Sequence, residues 1–148
     1  MIVAADPAIE SLDDAAGRTL AINEPESWSG HLALVRHLTS TGRDLSMFGS
    51  TIRTGSHQAS VAAVANGDAD LASIDHTVWE YLDPLGSIRV VDRTRDWPAP
   101  PFALDRGLDP GVRERLGAAL FATRDTAGLA ALAPADRRDY EVMHPTPP

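Results

Sequence analysis

Short apolar runs alternate along this chain with longer segments whose apolar residues recur three or four positions apart, the mixture expected of strands interleaved with helices. Residues 18–23, RTLAIN, predict the first clear strand, and residues 1–5 a shorter one at an edge or crossover of a sheet. Residues 11–14 read as a single helical turn ending at Gly17, and residues 24–30, EPESWSG, as a loop that runs into a helix over 31–38. That helix carries Leu32, Val35 and Leu38 on one face. After a polar loop at 39–43, residues 45–53 hold a strand weakened by Gly49.

The stretch 54–76, TGSHQASVAAVANGDADLASIDH, organises the rest. Ser56 suits an N-cap, with His57 in the first turn of a helix whose apolar stripe is Val61, Val64 and Ala65. Gly67 supplies the left-handed residue that ends it. Residues 69–74 form a short, largely apolar segment suited to a buried parallel strand, with Asp75 and His76 at its C-terminal end, where open α/β sheets bind ligands. Downstream, 77–82 predicts a short helix and 87–94 a strand, and Trp97-Pro-Ala-Pro-Pro101 a stiff extended linker. Residues 102–104 read as a last strand. Asp109 and Pro110 match an N-cap followed by proline at the first helical position, opening a helix to about Ala122. A further helix over 125–133 and a Pro-rich tail complete the chain. The alternation implies an α/β fold, a mostly parallel sheet flanked by helices, over residues 1–104, with a helical segment at 105–148.

Composition narrows the classes. At 148 residues, 43% hydrophobic and 23% charged, the chain has the size and make-up of one domain with a real core. A formal net charge of −8 argues against nucleic acid and anionic membranes as partners, although a helix N-terminus can still bind a small anion locally. Absence of cysteine excludes disulfides and thiolate chemistry. There is no apolar run of membrane-spanning length and no signal peptide at Met1.

Two helix starts, Ser27-Trp28-Ser29-Gly30 and Thr54-Gly55-Ser56-His57, each follow a strand and each carry small hydroxyl residues. Orphan backbone N–H groups, the helix dipole and serine hydroxyls together suit a tetrahedral oxyanion; ordinary capping uses the same residues. His57 could donate to an anion or act as a base, but no nucleophile stands at a recognisable spacing from it, and neither a G-x-S-x-G elbow nor a P-loop occurs. No histidine pair has metal-ligand spacing, and Asp68, Asp70 and Asp75 do not form an EF-hand loop, so neither a metal nor another cofactor is expected. Trp28 reads as a hydrophobic staple or a cleft wall.

The segments SLDDAAGRTLAINEPESWSGHLALVRHL, TGSHQASVAAVANGDADLASIDH and TRDWPAPPFAL resemble the phosphate/phosphite/phosphonate substrate-binding proteins of ABC transporters, which are type 2 periplasmic binding proteins. The shared motifs are an S-x-S-G helix start at 27–30, a G-S-H helix start at 55–57 and the phrase A-V-A-N-G-x-A-D at 63–70. The resemblance implies one lobe of that fold and a capture component of an importer rather than an enzyme. Ser27, Trp28, Ser29 and Gly30 would hold the anion's oxygens, with Thr54, Ser56 and His57 at the second helix start and Asp75 to Thr77 at the variable end. Thr77 and the Pro100 region stand where some members place carboxylates for an amine, which argues against an aminoalkyl phosphonate.

Members of the family have two lobes, and this sequence corresponds to the second lobe and the C-terminal segment. The implied partners are a small oxyanion and an ABC permease. A homodimer, or a complementing lobe in trans, would cover the apolar stripe Val112, Leu116, Ala119 and Leu120. The family is periplasmic or cell-surface. The contrasting expectation is an interaction or sensor module, or a remnant without a ligand.

Overall fold

A computed structural model describes residues 1–5, 9–82, 86–123 and 132–141, and divides the chain into two compact units, Met1–Arg95 and Asp96–Pro148. Within the first unit five strands form one sheet in the order β3-β2-β4-β1-β5: β1 is Ile2–Ala4, β2 Thr19–Ile22, β3 Ser50–Arg53, β4 Leu71–Ala72 and β5 Ile88–Val90. Strand β2 pairs in parallel with β3 on one side and β4 on the other. Strand β1 is antiparallel to both β4 and β5, so four strands share one direction and β1 alone opposes them. The sequence suggested an edge or crossover strand there. It is not at an edge: it lies inside the sheet, between β4 and β5.

The alternation of side chains sorts the strands onto two cores. Val3, Leu20, Ile22 and Leu71 face a layer with Leu12, Leu34, Leu38 and Phe48. Ile2, Ala21 and Ala72 face the other, with Ala63, Val64 and Ile88. Both faces are covered, which is why RTLAIN reads as a continuous apolar run rather than an alternating one. On the first layer lies α1, Ala33–Ser40, burying Leu34 and Leu38 one turn apart, each contributing about 1.5–3 kcal/mol. The expected face had Leu32, Val35 and Leu38; of these only Leu38 is fully buried, and the helix runs on into the expected loop.

On the second layer lies α2, His57–Asn66, ended by Gly67 in the left-handed conformation at φ 80. Its buried stripe is Ser60, Ala63 and Val64, whereas Ala65 is exposed and Val61 half-buried. Counting apolar residues alone selects Val61 over Ser60, because it cannot anticipate a buried serine. Alanine at positions 21, 63 and 72 keeps this interface thin. The short helix α3, His76–Tyr81, follows β4.

In the second unit, α4 covers Pro110–Ala122 with Asp109 accepting from Val112 N–H at 3.1 Å, as expected, and α5 covers Arg137–Glu141. Residues 102–104 form no strand. They follow a proline-rich run that lacks the N–H groups a ladder needs. The expected helix over 125–133 falls mostly outside the described residues.

Gly49 explains the weakened strand signal at 45–53. A Cβ there would sit 2.3 Å from the carbonyl oxygen of Gly17, where Gly49 N–H donates to Arg18 O at 2.9 Å. The residue lets the chain cross close to the β1–β2 connection before β3 begins. Gly49→Ala is therefore expected to destabilise the fold by about 1–3 kcal/mol, read as a lower denaturation midpoint at unchanged slope.

Candidate functional site

The three adjacent parallel strands each end in a polar residue: Arg53 of β3 is followed by Thr54, Ile22 of β2 by Asn23 and Ala72 of β4 by Ser73. The shared direction of β2, β3 and β4 brings these three to one edge of the sheet. Asn23, Ser60 and Ser73 are the buried polar residues of the described core, and all lie at this edge. Buried polar groups need partners, and these find them. Thr54 Oγ1 lies 2.6 Å from Ser60 Oγ, and Ser60 Oγ donates to Asn23 Oδ1 at 3.1 Å. Ser73 Oγ donates to the carbonyl of Ser29 at 2.7 Å.

Above this layer stand the two helix starts. Ser27 caps the first, accepting from Gly30 N–H at 3.2 Å. The chain then makes a π turn, Trp28–Leu32, before α1, so that Leu32 N–H takes the Ser27 carbonyl at 2.9 Å. In an α turn that carbonyl would bind His31 N–H. The wider turn thus leaves the N–H groups of Ser29 and His31 without an intrahelical acceptor among the described residues. Gly30 must lack a side chain, because a Cβ would meet Asn23 Cγ at 2.5 Å and Ser27 Oγ at 2.8 Å. Ser56 caps the second start, accepting from Ala59 N–H at 3.1 Å, and Gly55 turns the chain into it at φ 84.

A single contact joins the two starts. Ser29 Oγ lies 3.1 Å from Nε2 of His57, across 28 residues of sequence. No spacing rule links this pair; the folded chain supplies it. The other ring nitrogen, Nδ1, is buried without a hydrogen-bond partner among the described residues. Burial holds the imidazole below its ordinary value of 6.5, and the Asp75 carboxylate pulls the other way.

The remaining expected residues are placed less centrally. Asp75 caps α3, accepting from Thr77 N–H at 2.9 Å, and the Thr77 side chain is exposed. Trp28 packs with the Arg36 guanidinium 5.9 Å from its ring centroid. The Thr54 hydroxyl belongs to the network beneath the site. Asn23 and Ser60 were not singled out from the sequence; a polar residue closing an apolar strand, and a serine inside a helix stripe, were the available signals. Glu24 and Arg53, which flank the two loops, form an ion pair. No cluster of three or more His, Asp or Glu suited to a metal occurs among the described residues.

The arrangement is a set of neutral donors. Ser27 and Ser56 use lone pairs in capping and keep their protons, Ser29 and His57 engage each other, and neither helix carries an acid in its first turn. The sequence profile described as ABC transporter, phosphonate, periplasmic substrate-binding protein matches residues 1–146. The chain belongs to that family. It is a family of transport solute-binding proteins rather than of enzymes.

Solved structures share the fold. XAC2383 from Xanthomonas citri bound to chloride is 23% identical with a TM-score of 0.65, covering 96% of this chain and 60% of its own. PhnD1 from Prochlorococcus marinus (MIT 9301) in complex with methylphosphonate is 21% identical with a TM-score of 0.53, covering 60% of this chain and 37% of its own. The sulfonate-binding SsuA of Methylobacillus flagellatus KT is 23% identical with a TM-score of 0.50, over 61% of this chain and 26% of its own. The chain thus matches between about a quarter and three-fifths of these proteins' lengths. Curated protein sequences give no match.

The depressed imidazole has a consequence for stability. Below its ordinary value of 6.5, unfolded His57 binds a proton that the folded ring resists, so this contribution is full above that pH and is lost as the pH falls through the folded value. His57→Gln is expected to flatten that part of the stability profile between about pH 7 and 5 in urea titrations. An unchanged difference between wild type and variant across that range would show that His57 is not held neutral.

Proposed function

We propose that the first unit is a solute-binding lobe for a small tetrahedral oxyanion of the phosphate, phosphite or phosphonate class, serving an ABC import system. The observation that carries it is the 3.1 Å contact between Ser29 and His57. It brings two helix N-termini, with their dipoles and orphan N–H groups, onto one small volume. An arriving anion would take the Ser29 hydroxyl proton and an imidazole N–H, together with the N–H groups of Ser29 and His31 and the hydroxyls of Ser27 and Ser56. Gly30 and Gly55 permit the close backbone approach. Trp28 would wall the site, with Asp75 and Thr77 at its outer end. The net charge of −8 is no obstacle, since these donors act within a few ångströms.

Membership of the family and the fold shared with a methylphosphonate-bound and a sulfonate-binding protein support this reading. Phosphate, phosphite and methylphosphonate, tested separately by thermal shift, should raise the melting temperature. An anion at a hundred times its Kd stabilises by about 2.7 kcal/mol. Ser29→Ala should weaken the best ligand by about 10–100-fold, the worth of a hydrogen bond to a charged group. No shift with any of the three at millimolar concentration would remove the proposal.

A second reading, an interaction module, draws on the second unit. Helix α4 buries none of its residues, and Leu116 and Phe121 are 42% and 48% exposed. Pairing of two chains through Val112, Leu116 and Leu120, or a complementing lobe in trans, would cover that face. Light scattering on the purified chain should then give a dimer mass at micromolar concentration that Leu116→Glu returns to monomer. A wild-type monomer throughout would exclude self-pairing.

A further inference from the structure

Asn23 is 7% exposed and sits at the C-terminal end of β2, directly below the first helix start. Its orientation follows from counting protons. Each hydroxyl has one to give. The Thr54 hydroxyl lies 2.6 Å from Ser60 Oγ, 3.0 Å from the Ile22 carbonyl and 3.3 Å from that of Ser56. Ser60 gives its one proton to Asn23 Oδ1 at 3.1 Å, so in its short contact with Thr54 it is the acceptor. This relay fixes the carbonyl end of the amide against α2 and turns the NH2 end toward Gly30. Nδ2 would lie 2.7 Å from a Cβ at position 30, so Gly30 is what lets the helix start pack this close to the amide. Among the described residues Nδ2 has no acceptor. An amide held at its oxygen by Ser60, with its NH2 end uncommitted beneath a helix start, is a donor that a ligand oxygen can engage.

We propose that Asn23 contacts the ligand directly, its Nδ2 amide donating to an oxygen of the bound oxyanion from the sheet side, while Thr54 and Ser60 are positioning residues that set its orientation. This rests on the anion reading of the lobe and extends it. The anion would be gripped from the sheet as well as from the two helices. A neutral amide suits the place, because a carboxylate there would itself compete for the same helix N-termini and repel the ligand.

The test follows the Asn23 side-chain amide by 1H–15N NMR while methylphosphonate is titrated into the full chain, the resonance pair being assigned by its loss in Asn23→Asp. The expected result is that the Asn23 amide protons move together with the backbone amides of Ser29 and His57. Asn23→Asp should also lose about tenfold or more in affinity at neutral pH and regain part of it as the pH falls into the carboxylic-acid range, where the side chain becomes neutral again. Merely filling the space would give no such pH dependence. Backbone amides that shift while the Asn23 amide stays in place would overturn this inference alone. If neither moves, the anion reading fails and this inference with it. Should Asn23→Asp not fold, the wild-type titration decides, with the pair assigned through-bond.

Discussion

The fold of the first unit turns on a polar layer that has to be satisfied out of water. Three parallel strands run side by side and each releases a polar residue at the same edge, so Thr54, Asn23 and Ser73 arrive together where the chain turns into its helices. Leaving such groups unpaired would cost about 1–3 kcal/mol each. They are paired with one another and with the helices: Asn23 and Thr54 through Ser60 of α2, and Ser73 through the carbonyl of Ser29. The same bonds that remove the penalty also tie both helix starts to the sheet. Positioning of the site is thus a by-product of satisfying the core.

Small residues make that positioning possible. Ala21, Ala63 and Ala72 line the interface between the sheet and α2, so this helix approaches closely enough for Ser60 to reach into the network. The opposite face is filled by Leu20, Leu34, Leu38 and Phe48, which hold α1 at a larger spacing. His57 opens α2 and Ser29 lies in the turn before α1, and their 3.1 Å contact reflects both spacings at once. A larger residue at position 21 or 72 would act on the site without touching it.

How much of this was legible before folding depended on whether a signal was local. Five of the six expected strands, the helix start at Ser27, Ser56 as a cap, Gly67 as a helix end and Asp109-Pro110 as a helix start all rest on short-range chemistry, and each stands close to where the sequence put it. Of the residues singled out for the site, the structure sets the Ser27–Gly30 start against the Ser56–His57 start. Thr54 it places beneath them, and the side chain of Thr77 in solvent. What periodicity could not yield was Ser60, because a stripe is counted by its apolar members. The pairing of Ser29 with His57 escaped for a different reason: they are 28 residues apart, with a helix and a strand between them, and no local rule spans that distance. The π turn at Trp28–Leu32 was likewise invisible, since it depends on which N–H reaches the Ser27 carbonyl.

The π turn also bears on how an acidic chain would present the proposed anion site. A formal charge of −8 creates a field that disfavours anions at long range, but that field is screened within about 10 Å at ordinary ionic strength. At contact distance the decisive quantities are the number of uncommitted donors and the absence of a competing carboxylate. Shifting the Ser27 carbonyl from His31 to Leu32 adds a donor without adding charge. Of the acids beside the two loops, Glu24 pairs with Arg53 and Asp75 accepts from Thr77 N–H. A site assembled from neutral dipoles keeps its grip local. Such a site would discriminate by the directions of its hydrogen bonds more than by charge, which suits telling one tetrahedral oxyanion from another.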